Sequence, residues 1–100
     1  MTYKLTVTLE ARNDVRDIYD WYEEQRIGLG DLFLNEAVDR LNFIENQPYI
    51  FQIRFQPIRM CLLIKFPYSI HYEVDTDEVI VWLVCHQHRD SKKILKDRLT

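Results

Sequence analysis

Residues 58–86 read IRMCLLIKFPYSIHYEVDTDEVIVWLVCH, and the alternation inside this stretch decides the fold. In 58–66, Ile58, Met60, Leu62, Ile64 and Phe66 point one way and Arg59, Cys61, Leu63 and Lys65 the other, the period of a strand. In 69–75, Ile70, Tyr72 and Val74 oppose Ser69, His71 and Glu73, which puts His71 on an outward, solvated face. Thr76-Asp77 is a short hairpin loop, and Pro67 marks the turn before it. The run 79–85 (VIVWLVC) is apolar on both faces, so it reads as a central strand covered from both sides, with Trp82 in the core. A further strand, 50–55 (IFQIRF), precedes Pro57.

Working toward the N-terminus, the period changes. Phe33, Ala37, Leu41 and Ile44 recur at helical spacing, with Asn35, Asp39, Asn42 and Asn46 opposite, and Pro48 ends the run. Gly28 and Gly30 separate it from another amphipathic helix, with Ala11, Val15, Ile18, Tyr19 and Tyr22 inside and Asn13, Asp17, Asp20 and Glu24 outside. So short a connection predicts an antiparallel helix hairpin. Thr8 is the expected N-cap, with Glu10 in the first turn. Before it, Tyr3, Leu5, Val7 and Leu9 alternate with Thr2, Lys4, Thr6 and Thr8 as a first strand. A short basic tail, 91–98, has the length of one or two helical turns. The expectation is a single α+β domain over 1–100: strand, antiparallel helix hairpin, then a three- to four-stranded, mainly antiparallel sheet with the helices on one face.

Composition bounds the function. The 100 residues are 47% hydrophobic and 13% aromatic, ample for a core, with no run as long as a membrane-spanning helix and no apolar leader, so a soluble cytoplasmic protein is expected. Cys61 and Cys85 lack metal-site spacing and read as buried, reduced thiols. The net charge of −3 argues against broad nucleic-acid affinity. Its distribution is uneven: residues 1–48 hold 5 basic and 10 acidic side chains, residues 49–100 hold 8 and 6. Anionic ligands should meet the second half.

Three strings then resemble one family. They are Ala11…Asp17-Ile18 leading to Tyr22, Gly28-Leu29-Gly30 and Phe33; Ile44…Pro48; and Ile58-Arg59, Phe66-Pro67-Tyr68-Ser69-Ile70-His71-Tyr72, His86…Arg89-Asp90 and Arg98. In that order they resemble the ParE/RelE toxin superfamily, the plasmid-stabilisation type II toxins, and its ParE branch in particular; Ser91 stands where the family usually has proline. The resemblance implies a β-α-α-β-β-β fold and a toxin neutralised by a cognate antitoxin, in a homodimer or a toxin–antitoxin heterotetramer. No cofactor, metal or membrane partner is expected. The apolar surplus at Trp21, Cys61 and Leu63, off the expected core faces, would serve the antitoxin.

Two chemistries go with the resemblance. RelE-like members cut mRNA on the ribosome, which requires proton handlers and cations around a developing phosphorane. His86, Arg89, Arg59 and Lys65 are the candidates for that catalysis. ParE-like members poison DNA gyrase and break no bond themselves. For them Arg59, Lys65, His71, His86, Arg89 and Arg98 form the expected target-binding surface. The net acidic charge and a C-terminal tail without an aromatic favour the gyrase reading over the endoribonuclease, with a non-toxic protein-binding module of the same fold as a third. Blander roles exist for each residue: His86 as a strand end satisfied by a backbone hydrogen bond, Arg89 and Arg98 paired with Asp90 or Asp97, Tyr68 and Tyr72 as packing with hydroxyls reaching water, and His86 with His88 as a lone metal-binding pair lacking further ligands.

Overall fold

The computed structural model describes residues 3–100; Thr2 of the expected first strand lies outside them. The elements are β1 (Lys4–Val7), α1 (Leu9–Gln25), α2 (Leu29–Asn46), β2 (Ile53–Phe55), β3 (Ile58–Leu62), β4 (Tyr68–Asp75), β5 (Glu78–His86) and α3 (Ser91–Arg98). This is the α+β order read from the sequence, mainly antiparallel as expected, with three antiparallel strand pairs and one parallel pair. The five-stranded sheet runs β1-β5-β4-β3-β2, and β1 lies parallel to β5, so the sheet is mixed. A helix hairpin between β1 and the rest supplies the long connection that a parallel neighbour requires.

The hairpin forms where the sequence placed it. Thr8 caps α1 by accepting the Ala11 amide at 3.2 Å. At the other end Glu23 Oε1 accepts the amides of Gly28 (3.0 Å) and Gly30 (2.8 Å), so one carboxylate satisfies two donors at the start of α2. Gly28 has φ of +92°, which suits a residue without Cβ. Gly30 lets the helices approach: a Cβ there would sit 2.7 Å from both the Tyr19 carbonyl oxygen and Glu23 Cγ.

The sheet is covered on both faces. Ala11, Phe33, Ala37 and Ile44 of the hairpin bury against Cys61, Ile70, Tyr72, Val79, Val81 and Val84. Behind the sheet α3 sets Leu95 on Ile58, Leu83 and Cys85, with Phe55, Trp82 and Ile94 around them. A bulge in β5 makes this double service work: Tyr72 pairs with Val81 and His71 with Leu83, which leaves Trp82 as the extra residue.

The second layer overturns several one-sided readings. His71 is 1% exposed, because its face of β4 lies in the buried layer behind the sheet. Cys61 and Leu63 are core residues, whereas Leu62 (45%) and Ile64 (79%) are the exposed apolar side chains. Trp82 is half-buried, its indole N–H donating to Glu73 at 2.7 Å. The Tyr72 hydroxyl is buried and donates to the Pro48 carbonyl at 2.6 Å, with no reach to water. The strand expected over 58–66 ends at Leu62, because Glu36 of α2 accepts the amides of Ile64 (2.7 Å) and Lys65 (3.0 Å) and bends 63–67 into a turn. Likewise the strand expected over 50–55 is only Ile53–Phe55.

His71 Nε2 lies 2.8 Å from Ser69 Oγ, and Nδ1 is buried without a partner. Burial, then the nearby Arg54 charge, lowers its pKa from 6.5 to about 4.

Two outcomes follow from these contacts. Gly30→Ala drives a methyl into a backbone carbonyl and should cost about 1–3 kcal/mol; an unchanged thermal midpoint would contradict the close approach. For His71 the unfolded chain takes up a proton below 6.5 that the folded chain refuses down to about 4. Stability is therefore undiminished above 6.5 and falls as pH drops through that window, by roughly 2 kcal/mol between pH 7.5 and 5. Urea unfolding at both pH values should show this loss in the wild type and a smaller one in His71→Leu. Equal losses would refute it.

Candidate functional site

Where β5 runs out, a cleft of about 260 Å³ opens between α1, the strand end and α3. Asp14, Trp21, Tyr68, His86, Arg89 and Arg98 line it. Their placement starts from a shortage of strand. β1 pairs with β5 only as far as Val81, and Thr8 then donates to the Val81 carbonyl and turns away into α1. Beyond that point, among the described residues, the outer edge of β5 has no strand beside it.

Two side chains take over. Asp14 Oδ2 accepts the Val84 amide at 3.0 Å, and Arg98 Nη1 donates to the Trp82 carbonyl at 3.1 Å. The same two residues join through two hydrogen bonds, Nη1 to Oδ2 at 2.5 Å and Nη2 to Oδ1 at 2.9 Å. This is the bidentate fork that arginine makes with a carboxylate. Arg98 is accordingly pushed above its ordinary pKa, first by the hydrogen bonds to Asp14, although burial opposes the shift. Its partner is Asp14 on α1, where the sequence suggested Asp90 or Asp97; Asp90 instead caps α3 by accepting the Lys93 amide at 3.2 Å.

His86 follows at the strand terminus. Its ring meets Tyr68 edge-on at 5.3 Å and lies 5.2 Å from His88. Nδ1 accepts the His88 amide at 3.1 Å, as expected for a strand end satisfied by backbone. That bond occupies the only lone pair of the neutral ring and leaves Nε2–H as a donor. Arg89 comes one turn later, its amide on the His86 carbonyl at 2.9 Å and its side chain exposed. Cys85, beneath the cleft, is a thiol whose pKa burial raises.

The structure thus brings together three of the six residues singled out in the sequence: His86, Arg89 and Arg98. The other three lie elsewhere. Arg59 donates to the carbonyls of Phe51 (2.6 Å) and Tyr49 (3.3 Å) and covers the Tyr49 ring at 5.1 Å, which fastens the segment after α2 to β3. Lys65 is exposed in the 63–67 turn against α2. His71 is enclosed behind the sheet. Sequence reading missed Asp14 and Arg54. Asp14 left a signal, an acid three residues after Ala11 and four before Ile18 on the apolar stripe of α1. Arg54 left none; it joins Arg89 and Lys92 around a shallow hollow beside α3 only through the fold. Among the described residues no three metal-ligating side chains come together, and no helix is long and apolar enough to cross a membrane.

What the cleft can do is bind. It presents one hydrogen-bond donor on His86, one exposed guanidinium on Arg89 and the half-exposed indole of Trp21 (53%). Of the other charged groups lining it, Arg98 and Asp14 are bonded to each other and Asp17 is exposed.

A family model described as the ParE toxin of the type II toxin–antitoxin system parDE matches residues 5–91. Comparison with curated protein sequences gives no match. Among solved structures, the chain resembles a chromosomal ParDE toxin–antitoxin system from P. aeruginosa, with a TM-score of 0.74 and 19% identity over 85% of this chain and 96% of that one. It also resembles the E. coli toxin RelE in a mutant, free state (0.69; 18%; 99% and 96%). A third similar structure is the RelBE2 toxin–antitoxin complex from Mycobacterium tuberculosis (0.63; 17%; 86% and 99%). At these identities the structures speak for a shared fold.

Proposed function

Because this chain belongs to the ParE toxin family of type II toxin–antitoxin systems, we propose that it arrests growth by binding DNA gyrase, without cutting RNA, and that a cognate antitoxin neutralises it. The observation that carries this reading is the disposition of the cations. Cleavage by a 2′-hydroxyl needs a proton acceptor and several cations converging on one phosphate. Here Arg98 is bonded to Asp14, Arg59 to backbone carbonyls, and Lys65 lies in a separate turn. The one imidazole in the cleft spends its acceptor nitrogen on the His88 amide. His86 and Arg89, with Trp21 beside them, suit a protein-binding surface, where an exposed arginine and an aromatic commonly supply most of the affinity.

Production of the chain alone should stop growth, and co-production of the protein encoded beside it should restore growth. Purified chain should inhibit supercoiling by gyrase and leave mRNA intact in a translating ribosome extract. Arg89→Ala should weaken that inhibition roughly tenfold, equivalent to about 1.4 kcal/mol, at an unchanged thermal midpoint. Codon-associated mRNA cuts with normal supercoiling would overturn the gyrase reading.

A further inference from the structure

Cations gather behind the sheet, where β2 meets α3. Arg54 of β2, Arg89 after β5 and Lys92 of α3 line a shallow hollow of about 370 Å³, together with Phe55, Asp90 and Ser91. A second hollow of about 260 Å³ adjoins it, lined by Asp90, Lys92, Lys93 and Lys96. The two share Lys92 and Asp90 and so form one surface. Arg54, Arg89, Lys92, Lys93 and Lys96 are all exposed. The only ion pair among the described residues joins Arg98 to Asp14, so none of these five has a carboxylate partner. Asp90 is turned to the backbone, where it caps α3 through the Lys93 amide at 3.2 Å. The net charge of −3 is an average that hides this surface.

Like charges held this close repel one another until an anion lies among them. What that anion is follows from what else the surface offers. It has no apolar anchor: among the described residues, no large hydrophobic side chain of α3 or of 87–90 is exposed. A protein interface is built around such an anchor. The surface has no open aromatic face either. Phe55 is half-buried and lies under Lys92, whose Nζ is 5.8 Å from the ring centre. Single-stranded nucleic acids are held by stacking their bases on aromatic faces left open for them. What remains is a row of anions presented by a stiff backbone. Lys92 and Lys96 stand one turn, about 5.4 Å, apart. The eight residues of α3 make a ridge about 12 Å long, the rise of roughly three base pairs.

We propose that this surface binds the sugar–phosphate backbone of duplex DNA. Arg54 and Arg89 grip phosphates in the larger hollow, and Lys92, Lys93 and Lys96 follow the strand along α3. Guanidinium forks take phosphate oxygens in pairs and lysines meet them as point charges, so the contact is made without reading base sequence. Arg89 lines both this surface and the cleft of His86 and Trp21. One molecule therefore meets a protein through the cleft and DNA through α3 at the same time. If gyrase is the target, the DNA is the duplex that gyrase holds, and the chain recognises the enzyme–DNA complex in preference to the free enzyme. That consequence rests on the gyrase reading; the surface and its ligand rest on the cations alone.

The test measures the intact chain against a fluorescein-labelled 20-base-pair duplex by anisotropy over a range of salt. Four or five neutralised phosphates should give a slope of log affinity against log salt of roughly −4, so that binding weakens about a hundredfold or more between 50 and 200 mM. Lys93→Gln combined with Lys96→Gln alters two exposed side chains. The pair should lower affinity at least tenfold and flatten the slope by about 2, at an unchanged thermal midpoint. In the supercoiling assay the same double variant should inhibit at least fivefold less well, while binding DNA-free gyrase as the wild type does. A wild type that inhibits gyrase but binds no duplex, or a double variant that binds duplex as tightly as the wild type, would overturn the proposal and leave the gyrase reading standing. A 20-nucleotide single-stranded RNA bound more tightly than the duplex would also overturn it. Salt-dependent duplex binding by a chain without effect on gyrase would support the surface and defeat only the gyrase reading.

Discussion

The outer edge of β5 is the constraint on which the site depends. β1 accompanies β5 for four residues and leaves the rest of a nine-residue strand unpaired on that side. Unpaired backbone groups near a core are costly, and no further strand among the described residues pairs them. Asp14 and Arg98 stand in for it, one accepting from the Val84 amide and the other donating to the Trp82 carbonyl. The bulge residue Trp82 itself carries the second of these bonds. Joined to each other, the two side chains also link the helix on the front of the sheet to the helix on its back.

That arrangement has a functional consequence. The arginine that closes the strand edge is no longer free to hold a phosphate, and the cleft is left with Arg89 as its exposed guanidinium. Charge over the whole chain follows the same division. Residues 9–46, which include the hairpin, hold 4 basic and 10 acidic side chains, while residues 87–100 hold 5 and 2. The molecule is therefore an acidic hairpin on one face of the sheet and a basic helix on the other. Such separation orients a protein toward a large charged target over distances of about a Debye length.

Much of this was legible in the sequence. The hairpin was, because Ala11, Val15, Ile18, Phe33, Ala37 and Ile44 repeat at helical spacing and Gly28 and Gly30 break the pattern. The β4–β5 hairpin was, because Thr76-Asp77 separates an alternating run from one that is apolar on both faces. The errors have a common source. A strand that is apolar on both sides carries no mark of which side is the larger core, so alternation alone sets Cys61 and Leu63 outward although they face the hairpin. His71 reads as solvated because α3 looks like a basic tail, and only the fold shows that layer covering it. The partner of Arg98 lies 84 residues away on Asp14, and spacing along the chain says nothing about a pair so distant. The cleft itself was half legible: the strand end named His86 and Arg89, while the dispersal of Arg59 and Lys65 depends on register and on a turn held by Glu36.

A double-mutant cycle on Asp14 and Arg98, read by urea unfolding, tests the central claim most directly. Asp14→Ala and Arg98→Ala should each destabilise by about 1–3 kcal/mol, since each strands a backbone group and a charge. The double variant should cost clearly less than their sum, and hydrogen exchange at the Val84 amide should quicken in both single variants. If Arg98→Ala leaves stability and Val84 exchange unchanged, the claim is contradicted: the ion pair is then a solvated surface contact, and Arg98 is available for other work.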